Sequence, residues 1–365
     1  PVNIEEINSK SIFNKLKSKK ITDKSLIKIS RQLSALLNGG LPLETALSSI
    51  GKESKSDVEK EQLLKISSSL QEGRSFSDAL REYPQSFSNL FVSLISAGEN
   101  SGNLSTALQN LSIYIEKKEK IRNEVIGALV YPSILILVAL LIVTLLLIFV
   151  VPNVVEQFSG LNQELPFLTL TLISISNFII SPIFISLITI SLCIALYIRI
   201  YFRQKFKLKL DAFLLKLPYF NHFLIQSDIS KFLSSMSLLR NGGITIVNSI
   251  NISIETISNG YLRKEFSDKL VKVEEGATLT DSLKEIPLIP SLVIQMISSG
   301  EMGGDLEQML SKTSDFLDQE FQQSSKLMIS LLEPLIVVIM GGVVATIIIA
   351  ILLPLIQMNN LSIIS

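Results

Sequence analysis

The sequence predicts an all-α integral membrane protein, with three transmembrane helices and two homologous helical bundles on one face of the membrane. Three observations predict it: long apolar runs almost free of charge, a set of glycine-marked motifs that occurs twice in the polar remainder, and no period-2 alternation long enough for a sheet. Of 365 residues, 47% are hydrophobic and only 18% charged, with a mean hydropathy of +0.44, too apolar for an ordinary soluble enzyme. Lys plus Arg number 33, as do Asp plus Glu, so no basic excess points to nucleic acid as a partner.

In chain order, residues 1–26 form a polar, Lys-rich tail without the apolar core of a signal peptide, and Pro1 in place of Met reads as a processed or truncated N-terminus. Residues 27–126 form the first bundle. Leu26, Ile29, Leu33, Leu36 and Leu37 recur at helical spacing and stop at Gly39 and Gly40, because glycine takes the left-handed conformation that ends a helix. Pro42 opens the next helix, whose apolar face is Leu43, Ala46, Leu47 and Ile50. Gly73 precedes a short helix with Phe76, Ala79 and Leu80, and Leu90, Phe91, Leu94 and Ile95 mark another. Residues 98–102 read as a turn, with Asn103 as N-cap of a helix carrying Leu104, Ala107, Leu108, Leu111 and Ile115.

Residues 129–151 are an apolar run without charge that ends at Pro152, long enough at about 1.5 Å per residue to cross a hydrocarbon core of roughly 30 Å. Residues 152–177 read as a loop and 178–200 as a second span. Residues 201–328 form the second bundle, 331–356 a third span interrupted by Glu333, Pro334 and Pro354, and 357–365 a short tail. Lys117, Lys118, Lys120 and Arg122 precede the first span; Arg199, Arg203, Lys205, Lys207 and Lys209 follow the second. No Lys or Arg lies between Arg122 and Arg199 or after Lys326. Basic flanks stay in the cytoplasm, so both bundles should face it, with the loop and the C-terminal tail outside.

The two polar segments repeat one another. Asn38-Gly39-Gly40-Leu41-Pro42 matches Asn241-Gly242-Gly243-Ile244-Thr245, and Glu72-Gly73-Arg74-Ser75-Phe76 matches Glu275-Gly276-Ala277-Thr278-Leu279. After a one-residue slip, Gly98-Glu99-Asn100-Ser101-Gly102 matches Gly300-Glu301-Met302-Gly303-Gly304, and Tyr131-Pro132 matches Glu333-Pro334 inside the spans. The repeat unit is a bundle followed by a membrane helix. Thr245 stands where copy one has Pro42, which bears only on the stiffness of that turn.

Several chemistries are excluded. One Cys (Cys193) and one His (His222) provide no disulfide framework, no zinc cluster and no HExxH site, and no GxxxxGK[ST] or GxGxxG loop is present to cradle a nucleotide. Cys193 reads as an apolar packing residue and His222 as a surface or juxtamembrane one.

The repeated glycine turns, the two Gly-Glu motifs and the three-span plan resemble the bacterial type II secretion F protein family, which includes the type IV pilus platform proteins. The resemblance covers nearly the whole chain and rests on Arg31-Gln32-Leu33, Gly98-Glu99-Asn100-Ser101-Gly102, Val154-Val155-Glu156-Gln157-Phe158, Glu164-Leu165-Pro166-Phe167-Leu168-Thr169, Gly300-Glu301, Asp318-Gln319-Glu320-Phe321 and Glu333-Pro334-Leu335. The Val-Val-Glu-Gln-Phe and Glu-Leu-Pro-Phe-Leu-Thr stretches look more like the secretion branch than the pilus branch. The resemblance implies six-helix bundles, a homo-oligomer and an inner-membrane assembly platform without a reaction of its own. Its implied partners are the secretion ATPase, other inner-membrane platform proteins, pseudopilins and membrane lipid.

Among the marked residues, Glu99 and Glu301 lie next to glycine in what read as tight turns. The first reading has each carboxylate accept hydrogen bonds from amides at the start of the following helix. The second makes them contact or calcium ligands, as carboxylates are in some family members; no full ligand set can be assembled, and no other cofactor is expected. Glu333 is the one acidic residue inside a span, which marks it as a candidate coupling or oligomer contact. Pro132 and Pro334 are candidate kinks, and Gly341-Gly342 a candidate helix-approach site. Two other function classes compete. A transporter wants polar groups spread through the spans, and a membrane enzyme wants a nucleophile, base and orienter; the sequence supplies neither.

Overall fold

The computed structural model describes residues 20–150, 167–181, 205–215 and 220–361, with isolated positions between them. All regular structure among the described residues is helical. They divide into two compact units. The first joins the chain up to Arg122 with Leu215–Phe321; the second comprises Asn123–Leu214 and Gln322–Ser365.

The first unit holds both bundles. Bundle one is built from α1 (Asp23–Asn38), α2 (Leu43–Glu53), α3 (Asp57–Gln71), α4 (Phe76–Arg81), α5 (Asn89–Asn100) and the start of α6 (Leu104–Leu145). Short polar residues set the helix starts: the Thr22, Ser56, Ser75 and Ser88 hydroxyls each accept the amide three residues on, meeting a donor that the helix leaves unpaired. Leu33, Leu47, Leu63, Ile66, Phe76, Leu80, Ile95 and Leu108 form the core, each almost fully buried. Each contributes about 1.5–3 kcal/mol by leaving water.

Across the span-bearing segment, α7 (Phe167–Ile180) and α8 (Lys205–Leu214) belong to the second unit. Bundle two then repeats the plan with α9 (Phe220–Asn241), α10 (Ile246–Ile254), α11 (Gly260–Glu274), α12 (Leu279–Lys284), α13 (Ser291–Gly303) and the start of α14 (Leu306–Leu361), so each bundle has six helices. Phe232 and Phe266 meet edge to face at its centre, 4.9 Å between ring centroids.

The duplicated glycine turn is the same in both copies. The Gly39 amide donates to Ala35 O and Leu41 to Leu36 O, with Gly40 at φ 80°; Gly242 donates to Leu238 O and Ile244 to Leu239 O, with Gly243 at φ 80°. Only the second glycine of each pair sits where a side chain is strained. Pro42 and Thr245 precede α2 and α10 with φ of −58° in both, so losing the proline leaves the turn unchanged.

In the second unit the long helices are unbroken. α6 runs 42 residues through Pro132 into a π-helical turn, Leu146–Val150, and α14 runs 56 residues through Glu333, Pro334 and Pro354. Both are long and apolar enough to cross a membrane, and their apolar side chains point outward, Leu137 65% and Val338 72% exposed, where a soluble core helix would bury them.

The expected loop 152–177 needs correction: from Phe167 onward it is α7, which begins well before the expected span at 178. The segment is strongly apolar, and its Thr171 and Ser174 hydroxyls donate to Phe167 O and Leu170 O one turn back, which hides their polarity. Most of the second span, with Cys193, lies outside the described residues, as do residues 1–19, most of 151–166 and the last four of the tail.

Two other α7 hydroxyls meet carbonyls that prolines leave open. Pro354 has no amide for Ala350 O, and Thr169 Oγ1 donates to that oxygen at 2.7 Å. In the π-helical register Leu147 O would be served by residue 152, which is proline; Ser176 Oγ donates to it at 2.7 Å. In an apolar surrounding an unpaired carbonyl is costly, so these bonds fix α7 against both long helices.

Candidate functional site

The two Gly-Glu motifs are the clearest built feature, and they are not turns. Gly98 and Glu99 occupy the last helical turn of α5, Gly300 and Glu301 that of α13; the chain reverses only at Gly102 (φ 72°) and Gly304 (φ 73°). The Glu99 carboxylate reaches the start of α4, accepting from the Phe76 amide at 2.7 Å, the Ser77 amide at 3.2 Å and Ser77 Oγ at 3.1 Å. Glu301 does the same at α12, with the Leu279 amide at 2.8 Å, the Thr280 amide at 3.0 Å and Thr280 Oγ1 at 2.6 Å. Amides at a helix start do hold these carboxylates, but the helix is the earlier short one, because the following helix turns away at the glycine.

Gly98 and Gly300 seat the same helix ends against the helix that follows. A Cβ on Gly98 would stand 2.7 Å from Ala107 Cβ, and one on Gly300 2.6 Å from Met309 Cβ, so glycine lets α5 lie on α6 and α13 on α14. The calcium reading does not fit: both oxygens of each carboxylate face N–H and O–H donors, and among the described residues no group of three acidic, His or Cys side chains gathers to hold an ion.

The two bundles also meet each other through a surface the sequence did not mark. α5 packs on α9 and α10, and Leu94 presses on the second glycine turn: a Cβ at Gly242 would stand 2.5 Å from Leu94 Cδ1. Leu238 of bundle two packs on the core of bundle one, and Asn89 Nδ2 donates to Glu255 at 2.8 Å. Beside them Lys117 of α6 pairs with Asp315 at 2.7 Å and Asp318 at 2.6 Å of α14, while Asp318 also accepts from Ser230.

Burial opposes the charge on Lys117, but its hydrogen bonds to Asp315 and Asp318 outweigh that and raise its pKa above the ordinary lysine value. Tyr114, buried next to the same group, is pushed up to about 12, first by burial and then by the Asp318 charge. The signal for this surface was a mismatch between the copies. Phe316 and Gln319 stand where copy one has Tyr114 and Lys117, and a charge present in only one copy points to a contact made by only one copy.

Other marked residues are less engaged. Glu333 and Pro334 are exposed on continuous helix, and a Cβ at Gly341 or Gly342 would meet nothing within 4 Å. His222 Nε2 lies 2.9 Å from Gln226 at the start of α9.

A six-helix bundle followed by a long apolar helix, made twice and clamped by the same carboxylate, defines a class: a duplicated all-α membrane protein. Comparison with known proteins gives the family. The profile of type II secretion system protein F matches residues 29–152 and 232–354, one match for each copy. The chain belongs to that family. The type II secretion system protein F of Pseudomonas aeruginosa is 34% identical over 344 residues, covering 93% of this chain and 84% of the relative. That of Vibrio cholerae is 30% identical over 347 residues, with the same coverage. The type IV pilus assembly protein TapC of Aeromonas hydrophila is 30% identical over 354 residues, 97% of this chain and 86% of the relative.

Proposed function

We propose that this chain is the inner-membrane assembly platform of a bacterial type II secretion system, and that it couples a cytoplasmic ATPase to pseudopilus assembly without a reaction of its own. The observation that carries this reading is the continuity of α6 and α14. Each leaves a bundle and enters an apolar segment without a loop. At about 1.5 Å per residue, α6 is roughly 60 Å long, enough to carry a displacement from a bundle into the membrane.

Both bundles face the cytoplasm in this reading, because the basic residues cluster around them and the segment between Arg122 and Arg199 has none. The chain crosses three times, with its C-terminal tail outside. Glu333 is a contact for a neighbouring membrane helix, since an exposed carboxylate in an apolar helix calls for a polar partner. The secretion branch is favoured over the pilus branch by the similarity to the Pseudomonas aeruginosa protein.

Photo-crosslinking groups on each bundle, in cells that depend on this chain, test the reading. The expected captures are the ATPase or its membrane-anchored partners on at least one bundle. Capture of neither, together with normal secretion in a deletion strain, overturns it.

A further inference from the structure

The contact between the bundles is head-to-tail. Bundle one offers the α5 face and bundle two receives it on α9, α10 and the Gly242 turn. Because the bundles are copies, each also carries the other's half of the contact. Bundle two has the offering face on α13, and bundle one has the receiving face on α1, α2 and the Gly39 turn.

Both spare halves are open. In α5, Leu90, Val92 and Leu94 are buried, at 5%, 5% and 1% exposure. Their counterparts in α13 are Leu292, 42% exposed, and Ile294 and Met296, both half-buried; Met302 at the end of the helix is 83% exposed. On the receiving side, Gly242 is filled by Leu94, whereas a Cβ on Gly39 would meet only the Leu36 and Ala35 carbonyls of its own helix. Gly39 has φ −76°, a conformation open to any residue, so the backbone gives no reason for glycine there. Gly242 shows what such a glycine does: it is a socket for an apolar side chain.

We propose that the α13 face of one chain docks on the α1–α2 face and Gly39 turn of a second copy, repeating between chains the contact that the two bundles make within one. Met296 enters the Gly39 socket as Leu94 enters that of Gly242. Ala35 stands where bundle two has Leu238, which leaves room for the longer, more adaptable methionine. The charges also match: Lys118 and Lys231 line one cleft in the internal contact, and their counterparts across the new one are Glu320 and Lys28, of opposite sign. A contact between unlike faces joins copies in series, closing as a ring of two or more chains or continuing as a filament, and never pairs a face with itself.

The test uses full-length protein in nanodiscs with Cys193→Ser throughout. Ser93 and Asn251 line the same cleft of the internal contact, and their counterparts are Gln295 and Ser48. Chains with Gln295→Cys are mixed with chains carrying Ser48→Cys and treated with a short bis-maleimide. The proposal expects a dimer that joins the two kinds of chain, little product from either kind alone, and loss of the dimer when Gly39→Leu is added. Circular dichroism of the Gly39→Leu chain, expected unchanged, separates lost docking from lost fold; if that chain is misfolded, Met296→Asp in the partner serves instead. Product joining only like positions, which marks a face paired with itself, overturns the proposal. So does capture of a different protein at Gln295, no product, or a dimer indifferent to both substitutions.

Discussion

The two bundles repeat the same six helices, the same glycine turns and the same glutamate clamp, yet their α5 and α13 helices lie in different surroundings. Leu94 is buried against the other bundle, while its counterpart Met296 remains half-open. Duplication preserved what makes each bundle fold and left the outer faces free to diverge. The shared features therefore report on folding, and the unshared ones on contacts.

The glutamate clamp should break both halves alike. Glu99→Ala or Glu301→Ala strands two helix-start amides and a hydroxyl, at a cost of about 3 kcal/mol. Amide exchange of the full chain in detergent should accelerate over α4 in the first variant and over α12 in the second. An effect confined to one copy would contradict the shared role. The glycine turns should then separate the halves. Gly242→Leu has to displace Leu94 and should cost about 1–3 kcal/mol, whereas a Cβ at Gly39 meets only carbonyls of its own helix, so Gly39→Leu should change stability by less than about 1 kcal/mol. Equal losses in thermal melts would remove the distinction.

The smallest effect is on pH dependence. Tyr114 and Lys117 both hold their protons more tightly in the folded protein. Their contribution is complete below their ordinary pKa values, near 10, and is lost as the pH rises through the raised values, about 12 for Tyr114. Tyr114→Phe should flatten part of that alkaline loss, and Lys117→Met another part. A melting profile unchanged by either would place the alkaline sensitivity elsewhere.

Much of the bundle plan was legible in the sequence because it is local. Pro42 and the paired glycines mark helix ends by rules that act over a few residues. The partner of Glu99 was misread for the same reason: its amides lie at Phe76 and Ser77, and a local rule looks to the next helix. Leu94 carried the apolar periodicity of a core residue, and nothing in that pattern tells a bundle's own core from the side of a neighbouring bundle. α7 is apolar enough to be read from its hydropathy; what no local pattern shows is that Thr169 and Ser176 donate to carbonyls opened by Pro354 and Pro152.

The central claim is that the bundles act on the membrane through unbroken helices. It is tested most directly by inserting four glycines between Arg122 and Asn123, where α6 leaves the first unit. Secretion of an exported reporter is measured alongside membrane abundance of the variant and the amide exchange of its bundles. The account predicts that secretion falls to the level of a deletion strain while abundance and bundle protection remain as in the parent. Full secretion by that variant would contradict it.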